Sequence, residues 1–134
     1  MQRDGHYPYQ SSIDAYGNGG FRFSEMSHRG SLLCLPTGMH AWDVAAPDQL
    51  NITTLAPVFA LAGEIDVLFI GMGEDVLFLD PALRQAFRDH EVIVEAVGTG
   101  SAVSTYNIMF AEGRAVGAAL IAVERAKPDA GRSR

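Results

Sequence analysis

Val67-Leu68-Phe69-Ile70-Gly71-Met72-Gly73 and Val92-Ile93-Val94-Glu95-Ala96-Val97-Gly98-Thr99-Gly100-Ser101 are the two stretches that decide the fold. Each is a short apolar run rich in β-branched residues that ends in a glycine-bearing turn, and the second turn opens a helical pattern. Such runs read as buried strands of a parallel sheet, whose two faces are both covered. Turns after adjacent parallel strands gather backbone amides and small side chains along one sheet edge, where open α/β sheets place their sites.

The flanking sequence extends the same pattern. Past the second turn a helix is capped by Thr99 or Ser101 and ends at Glu112-Gly113, with Val103, Tyr106, Asn107 and Phe110 on its inner side. Residues 116–123 are apolar almost throughout, which predicts a central strand covered on both faces. Gly117 within it leaves room for a neighbouring helix to approach. Between the two turns, residues 76–79 are short and extended, and Asp80-Pro81 supplies an N-cap and first helical position. Leu83, Ala86, Phe87 and His90 then face the sheet, while Arg84 and Arg88 point outward. Upstream, Thr54 caps a helix that carries Pro57 in its first turn, buries Leu55, Val58, Phe59 and Ala62, and stops at Gly63.

The first third is β-rich. Gly17-Asn18-Gly19-Gly20 separates two short strands, 12–16 and 21–23, and Asn-Gly supplies the positive φ angles of a type I′ hairpin turn. Residues 31–35 form a further strand closed by Pro36, and Gly38-Met39-His40-Ala41-Trp42 reads as a loop plugged by a buried Trp42. The order is thus strands, then helix, strand, helix, strand, helix, strand. It describes a three-layer α/β domain with a mixed sheet over residues 11–124, between a disordered arm at 1–10 and a disordered tail at 125–134.

Composition narrows the function classes. With 134 residues, 48% hydrophobic and 19% charged, the chain can bury a core without metal or disulfide support. Cys34 is the single cysteine, so intrachain disulfides and multi-cysteine zinc sites are excluded; within Leu32-Leu33-Cys34-Leu35 it reads as a small core hydrophobe. Net charge is −6, and no Lys or Arg occurs between Arg29 and Arg84, a stretch that holds seven carboxylates from Asp43 onward. Such a chain repels phosphate backbones, which argues against nucleic acid. No apolar run is long enough to span a membrane, and the N-terminus lacks a signal or organelle presequence, so a cytoplasmic, reducing location is expected.

The candidate ligand-binding residues are Gly71, Gly73, Thr99, Gly100, Ser101 and Asn107. Free amides at the start of a helix favour an anion, so Gly98-Thr99-Gly100-Ser101 either cradles one or simply caps its own helix. Gly71-Met72-Gly73 is less suited, because Glu74 and Asp75 follow and no third glycine completes a dinucleotide fingerprint. Asn107, mid-helix beside an apolar stripe, either donates to a ligand at the turns or satisfies a loop backbone group. His6, His28, His40 and His90 are scattered, and no two have metal-ligand spacing. No nucleophile–base pattern is evident, so no catalytic residue, metal or cofactor is expected.

Several segments together carry a family resemblance: Ile13-Asp14-Ala15-Tyr16-Gly17 with Gly19-Gly20-Phe21-Arg22, Gly30-Ser31-Leu32-Leu33 up to Pro36, and Trp42. The set continues with residues 67–73, Leu83-Arg84-Gln85-Ala86, Thr105-Tyr106-Asn107 and Glu112-Gly113-Arg114. Across residues 11–123 the chain resembles the small domain family of mitochondrial NADH:ubiquinone oxidoreductase (complex I) assembly factor 3 and the adipogenesis-associated domain protein, which also has many bacterial members. The resemblance implies a mainly parallel five-stranded sheet, no established catalytic residues, and a role in assembling the respiratory NADH dehydrogenase through a protein partner such as one of its subunits. In the family pattern an Asp precedes the Thr99 position and an Arg precedes Thr105; here Gly98 and Ser104 stand there. An acid and a base absent together point to a lost ion pair and weaken an anion site that uses the Arg. The alternative is an enzyme or a small-anion binder at the glycine-turn edge.

Overall fold

The computed structural model describes residues 6–126. In chain order it contains β1 (His6–Tyr7), β2 (Ala15–Gly17), β3 (Gly20–Phe23), β4 (Met26–Arg29), β5 (Ser31–Leu35) and β6 (Gly38–Trp42). A 3-10 turn (Pro47–Gln49), α1 (Ala56–Phe59) and a second 3-10 turn (Ala62–Glu64) follow. The remainder is β7 (Val67–Gly71), α2 (Pro81–Asp89), β8 (Ile93–Val97), α3 (Thr99–Ala111) and β9 (Val116–Leu120).

Turn chemistry builds the first third. Asn18 and Gly19 have φ of 53° and 76°, the left-handed backbone of a type I′ turn, and they close the expected hairpin of β2 and β3. Its first strand is shorter than expected, beginning at Ala15. A second hairpin adds β4 through Ser24 and Glu25, also at positive φ (48° and 65°), giving a three-stranded antiparallel sheet. Two corrections follow, at residues 38–42 and at 6–10 of the expected disordered arm. The former are a strand rather than a loop: Pro36-Thr37 is a tight hairpin connection, and β6 pairs with β5 on one side and β1 on the other. Within the arm, residues 6–10 are docked, since β1 pairs with β6 and Gln10 Nε2 donates to the Val116 carbonyl at 2.7 Å. Residues 1–5 and 127–134 lie outside the described residues.

The main sheet runs β1-β6-β5-β9-β7-β8. Its five longer strands make the expected mixed sheet, with β1 as a short sixth. Parallel pairing is confined to β7–β8 and β7–β9, because the hairpin-connected half is antiparallel. β9 is the buried central strand, and its small residues let both faces pack closely. Ala118 belongs to the core on one face with Phe69, Val103 and Tyr106; Ala119 belongs to the other with Leu68, Val58 and Phe87. Those faces are the α3 layer and the α1–α2 layer. The small sheet joins the α3 side through Phe21 and Phe23. Gly117 accommodates the β5 carbonyl of Cys34 and the side chains of Ile65 and Leu35, not a helix as expected.

Of the three helices, α2 and α3 span the expected residues and α1 departs, towards brevity. The anticipated 54–63 helix is a single turn, α1, followed by a 3-10 turn. Thr54 does not cap it; its hydroxyl donates to the Gln49 carbonyl at 2.8 Å and accepts from Asn51 N–H at 3.0 Å. Trp42 is buried and its Nε1 donates to the Thr54 carbonyl at 2.7 Å, which fixes this segment against β6. Asp80 caps α2 through its side chain, accepting from Ala82 N–H at 3.1 Å with Pro81 next in line, as expected. Leu83 and Phe87 are buried and Arg84 and Arg88 exposed; Ala86 is half-buried, and His90 is exposed with its ring against Phe59. α3 starts from Gly98 with no side-chain cap, so neither Thr99 nor Ser101 caps it.

α2 ends in a Schellman motif: Val92 N–H reaches the Phe87 carbonyl at 3.0 Å and Glu91 N–H the Arg88 carbonyl at 3.0 Å. Glu91 occupies the left-handed position at φ 62°. Glu91→Gly is therefore expected to stabilise the fold by about 0.5–1 kcal/mol, read as a raised urea midpoint. Trp42 fluorescence should resist acrylamide quenching in the native state; ready quenching would contradict its place in the core.

Candidate functional site

The glycine turns do meet at one sheet edge, and what they build there is a lock. Gly71 ends β7, and a Cβ on it would lie 2.9 Å from Thr99 Cα and 3.1 Å from Leu120 Cδ2. The missing side chain lets the β8–α3 turn settle onto the end of β7. Thr99, 1% exposed, then ties the turn after β8 to the ends of β7 and β9. Its Oγ1 accepts from Gly73 N–H at 2.9 Å and donates to the Ile121 carbonyl at 2.7 Å. Thr99 N–H donates to the Gly73 carbonyl at 3.1 Å, and Met72 N–H to the Val97 carbonyl at 2.7 Å. The amides of Gly73 and Thr99 are thus occupied within the protein. Gly100 lies under the Tyr16 hydroxyl, and Ser101 is exposed.

Asn107 stands apart from this edge, two helical turns further along α3. Its Oδ1 accepts from Ile13 N–H at 2.8 Å and its Nδ2 donates to the Ile13 carbonyl at 2.8 Å. The amide completes the backbone of one residue before β2, so the loop-satisfying alternative is the one realised. Tyr106 continues the same seam by donating to the Ser11 carbonyl at 2.7 Å. Of the six expected ligand residues, Gly71, Gly73, Thr99, Gly100 and Ser101 come together and Asn107 does not.

Chemical reactivity is scarce among the remaining groups. Burial pushes the Cys34 thiol far above its ordinary range, so no thiolate nucleophile is present at neutral pH. The Tyr106 hydroxyl beside it is raised first by the same desolvation and then by its neighbourhood with Cys34. Glu74 and Asp75 are exposed next to Gly73. Among the described residues, no group of three His, Cys, Asp or Glu side chains is placed to hold a metal, and no helix is long and apolar enough to cross a membrane.

Two surface features had no marker in the sequence. One is an open groove of about 460 Å³ on the small sheet, lined by Tyr16, Gly17, Gly20, Arg22, His28 and Arg29 among others. It needed β4, whose turn lacks the usual Asn or Gly. The other is the loop between β7 and α2. Val76 and Leu77 are each 52% exposed and Phe78 is 100% exposed, although the next residue, Leu79, returns to the core. Burial separates Phe78 from Leu79; their residue types do not. β8 is likewise not buried on both faces as its composition predicts, because it is the last strand of the sheet, with Ile93 61% exposed.

The profile of a family described as protein of unknown function (DUF498/DUF598) matches residues 13–121. An uncharacterised protein of Rhodobacter capsulatus is 41% identical over 88% of this chain and 90% of its own length. NADH dehydrogenase [ubiquinone] 1 alpha subcomplex assembly factor 3 of Mus musculus is 30% identical over 86% of this chain, which spans 62% of the mouse protein's length. Among solved structures, the crystal structure described as an outer membrane protein from Bartonella henselae superimposes with a TM-score of 0.85 at 43% identity, covering 89% of this chain and all of that one.

Thr99→Val removes the hydroxyl that joins Gly73 to Ile121 and strands the buried Ile121 carbonyl and the partly buried Gly73 amide. It should lower stability by about 2 kcal/mol, against about 1 kcal/mol for Thr99→Ser, which keeps the hydroxyl. Urea denaturation reads the difference; equal losses would deny the hydroxyl its bridging role. Cys34 should resist alkylation in the native state and react at once on unfolding.

Proposed function

The chain belongs to the DUF498/DUF598 family, and from that premise we propose that it is a non-catalytic protein that assists assembly of the respiratory NADH dehydrogenase by binding a protein partner. The observation that carries this reading is the match, over most of the domain, to a mouse protein named as an assembly factor of that complex. The surface supports it. Residues 76–78 hold three large apolar side chains in solvent, at an edge where the Gly73 and Thr99 amides are bonded internally. Exposed apolar side chains gathered on one loop are a feature of protein-contact surfaces. The exposed carboxylates from Asp43 to Asp80 would steer association electrostatically rather than fix its strength. A cytoplasmic location is part of the proposal, consistent with a lone, reduced cysteine.

The alternative, a small anion or substrate held by Gly71, Gly73, Thr99, Gly100 and Ser101, has less support. It would have to compete with the bonds that Thr99 and Gly73 already make.

Deleting the gene in its native host should reduce assembled NADH dehydrogenase in the membranes, as read on native gels and by NADH oxidation, and the wild-type gene should restore it. Unchanged levels of the complex would remove the assembly role.

A further inference from the structure

Among the described residues β8 is an outer strand of the main sheet with β7 as its one strand partner, and its backbone shows what its other side offers. Ile93 N–H donates to the Asp66 carbonyl at 2.9 Å and the Val97 carbonyl accepts from Met72 N–H at 2.7 Å, so residues 93, 95 and 97 turn their polar backbone groups towards β7. Strand geometry then directs the N–H and C=O groups of Val94 and Ala96 outward. Side chains follow the same alternation. Val94 and Ala96 pack on the core beneath α2, which leaves Glu95 and Ile93 exposed on the opposite face. The apolar loop adjoins the C-terminal end of this edge: Val76 Cγ2 lies 3.9 Å from the position of a Cβ on Gly98. A strand edge unpaired among the described residues, an exposed Ile93 and the 76–78 side chains therefore lie on one margin of the molecule.

Resting on the reading of the chain as a protein-binding module, we propose that this margin receives an extended segment of a partner protein by strand addition to β8, with Phe78 as its apolar anchor. The segment is apolar and carries a Lys or Arg opposite Glu95. Charge selects that occupant. Full antiparallel pairing of β8 with a second copy sets Glu95 against Glu95, a destabilising like-charge pair. Glu74, Asp75 and Asp80 are exposed on the same loop, while Arg84 and Arg88 belong to α2, which covers the face away from Glu95. Main-chain bonds supply affinity in such complexes and side-chain pockets supply selectivity.

The test uses the full chain in its native host with a photo-crosslinking benzoylphenylalanine in place of Phe78, and the same residue in place of exposed Thr37 as a control. A discrete heavier adduct is expected from position 78 and none from position 37. Mass spectrometry of the adduct should find an extended apolar segment with a basic residue. Ala96→Pro removes an outward N–H without touching a bond inside the sheet, and should lower the adduct yield at least about tenfold at an unchanged urea midpoint. Glu95→Lys, which leaves the backbone intact, should lower it as well. An adduct of twice the chain's mass, an adduct indifferent to both substitutions, or none at all would overturn the proposal. A strand-dependent adduct with a protein outside the NADH dehydrogenase would keep the docking margin and sink the assembly role. If deletion depletes the complex but Ala96→Pro and Phe78→Asp restore it fully, the docking margin falls and the assembly role stands.

Discussion

Three strand ends of the main sheet converge on one buried oxygen. The Thr99 hydroxyl sits at the exit of β8, receives the Gly73 amide beyond β7 and donates to the Ile121 carbonyl beyond β9. A hydroxyl suits this position because it can accept and donate at once. The contact is possible only because Gly71 has no side chain to hold the turn away. Both layers depend on the arrangement, since α3 begins at Thr99 and its inner face, with Ala102, Val103 and Tyr106, is aimed by that first residue.

Where a turn or cap has its own chemistry, the sequence announces the structure. Asn18-Gly19, Asp80-Pro81 and Gly113 stand where their backbone preferences put them, and the apolar runs at 67–70, 93–97 and 116–120 are strands of one sheet. The illegible parts have physical reasons. Ser24 and Glu25 adopt left-handed angles that neither residue favours, so β4 has no local signal. β6 starts with a glycine two positions after a proline, both residues more typical of loops, and is held by pairing on both sides. α1 shrinks because Thr54 bonds into the preceding turn and Trp42 claims its carbonyl.

The candidate site shows a different limit. Glycine turns with a Thr beside them carry the same residues whether they hold a ligand or each other. Only hydrogen-bond geometry separates the cases, and here the Thr99 hydroxyl and the Gly73 and Thr99 amides are turned inward. Asn107 repeats the point, because its two contacts with Ile13 depend on a segment more than ninety residues earlier in the chain. Exposure of Phe78 is equally invisible in composition, since only its neighbour Leu79 finds a place in the core.

The order of strands also bears on how the protein comes off the ribosome. β9 lies between β5 and β7 but is synthesised after both. Until residue 120 has emerged, β5 and β7 each face an empty slot, and the two halves of the sheet have no ladder between them. Completion of the sheet must therefore wait for nearly the whole domain to be translated. During that interval the nascent chain presents two apolar, unpaired strand edges, the kind of surface that recruits chaperones or aggregates. Insertion of Gly117-Ala118-Ala119, the slimmest strand of the sheet, is the step that turns two partial sheets into one.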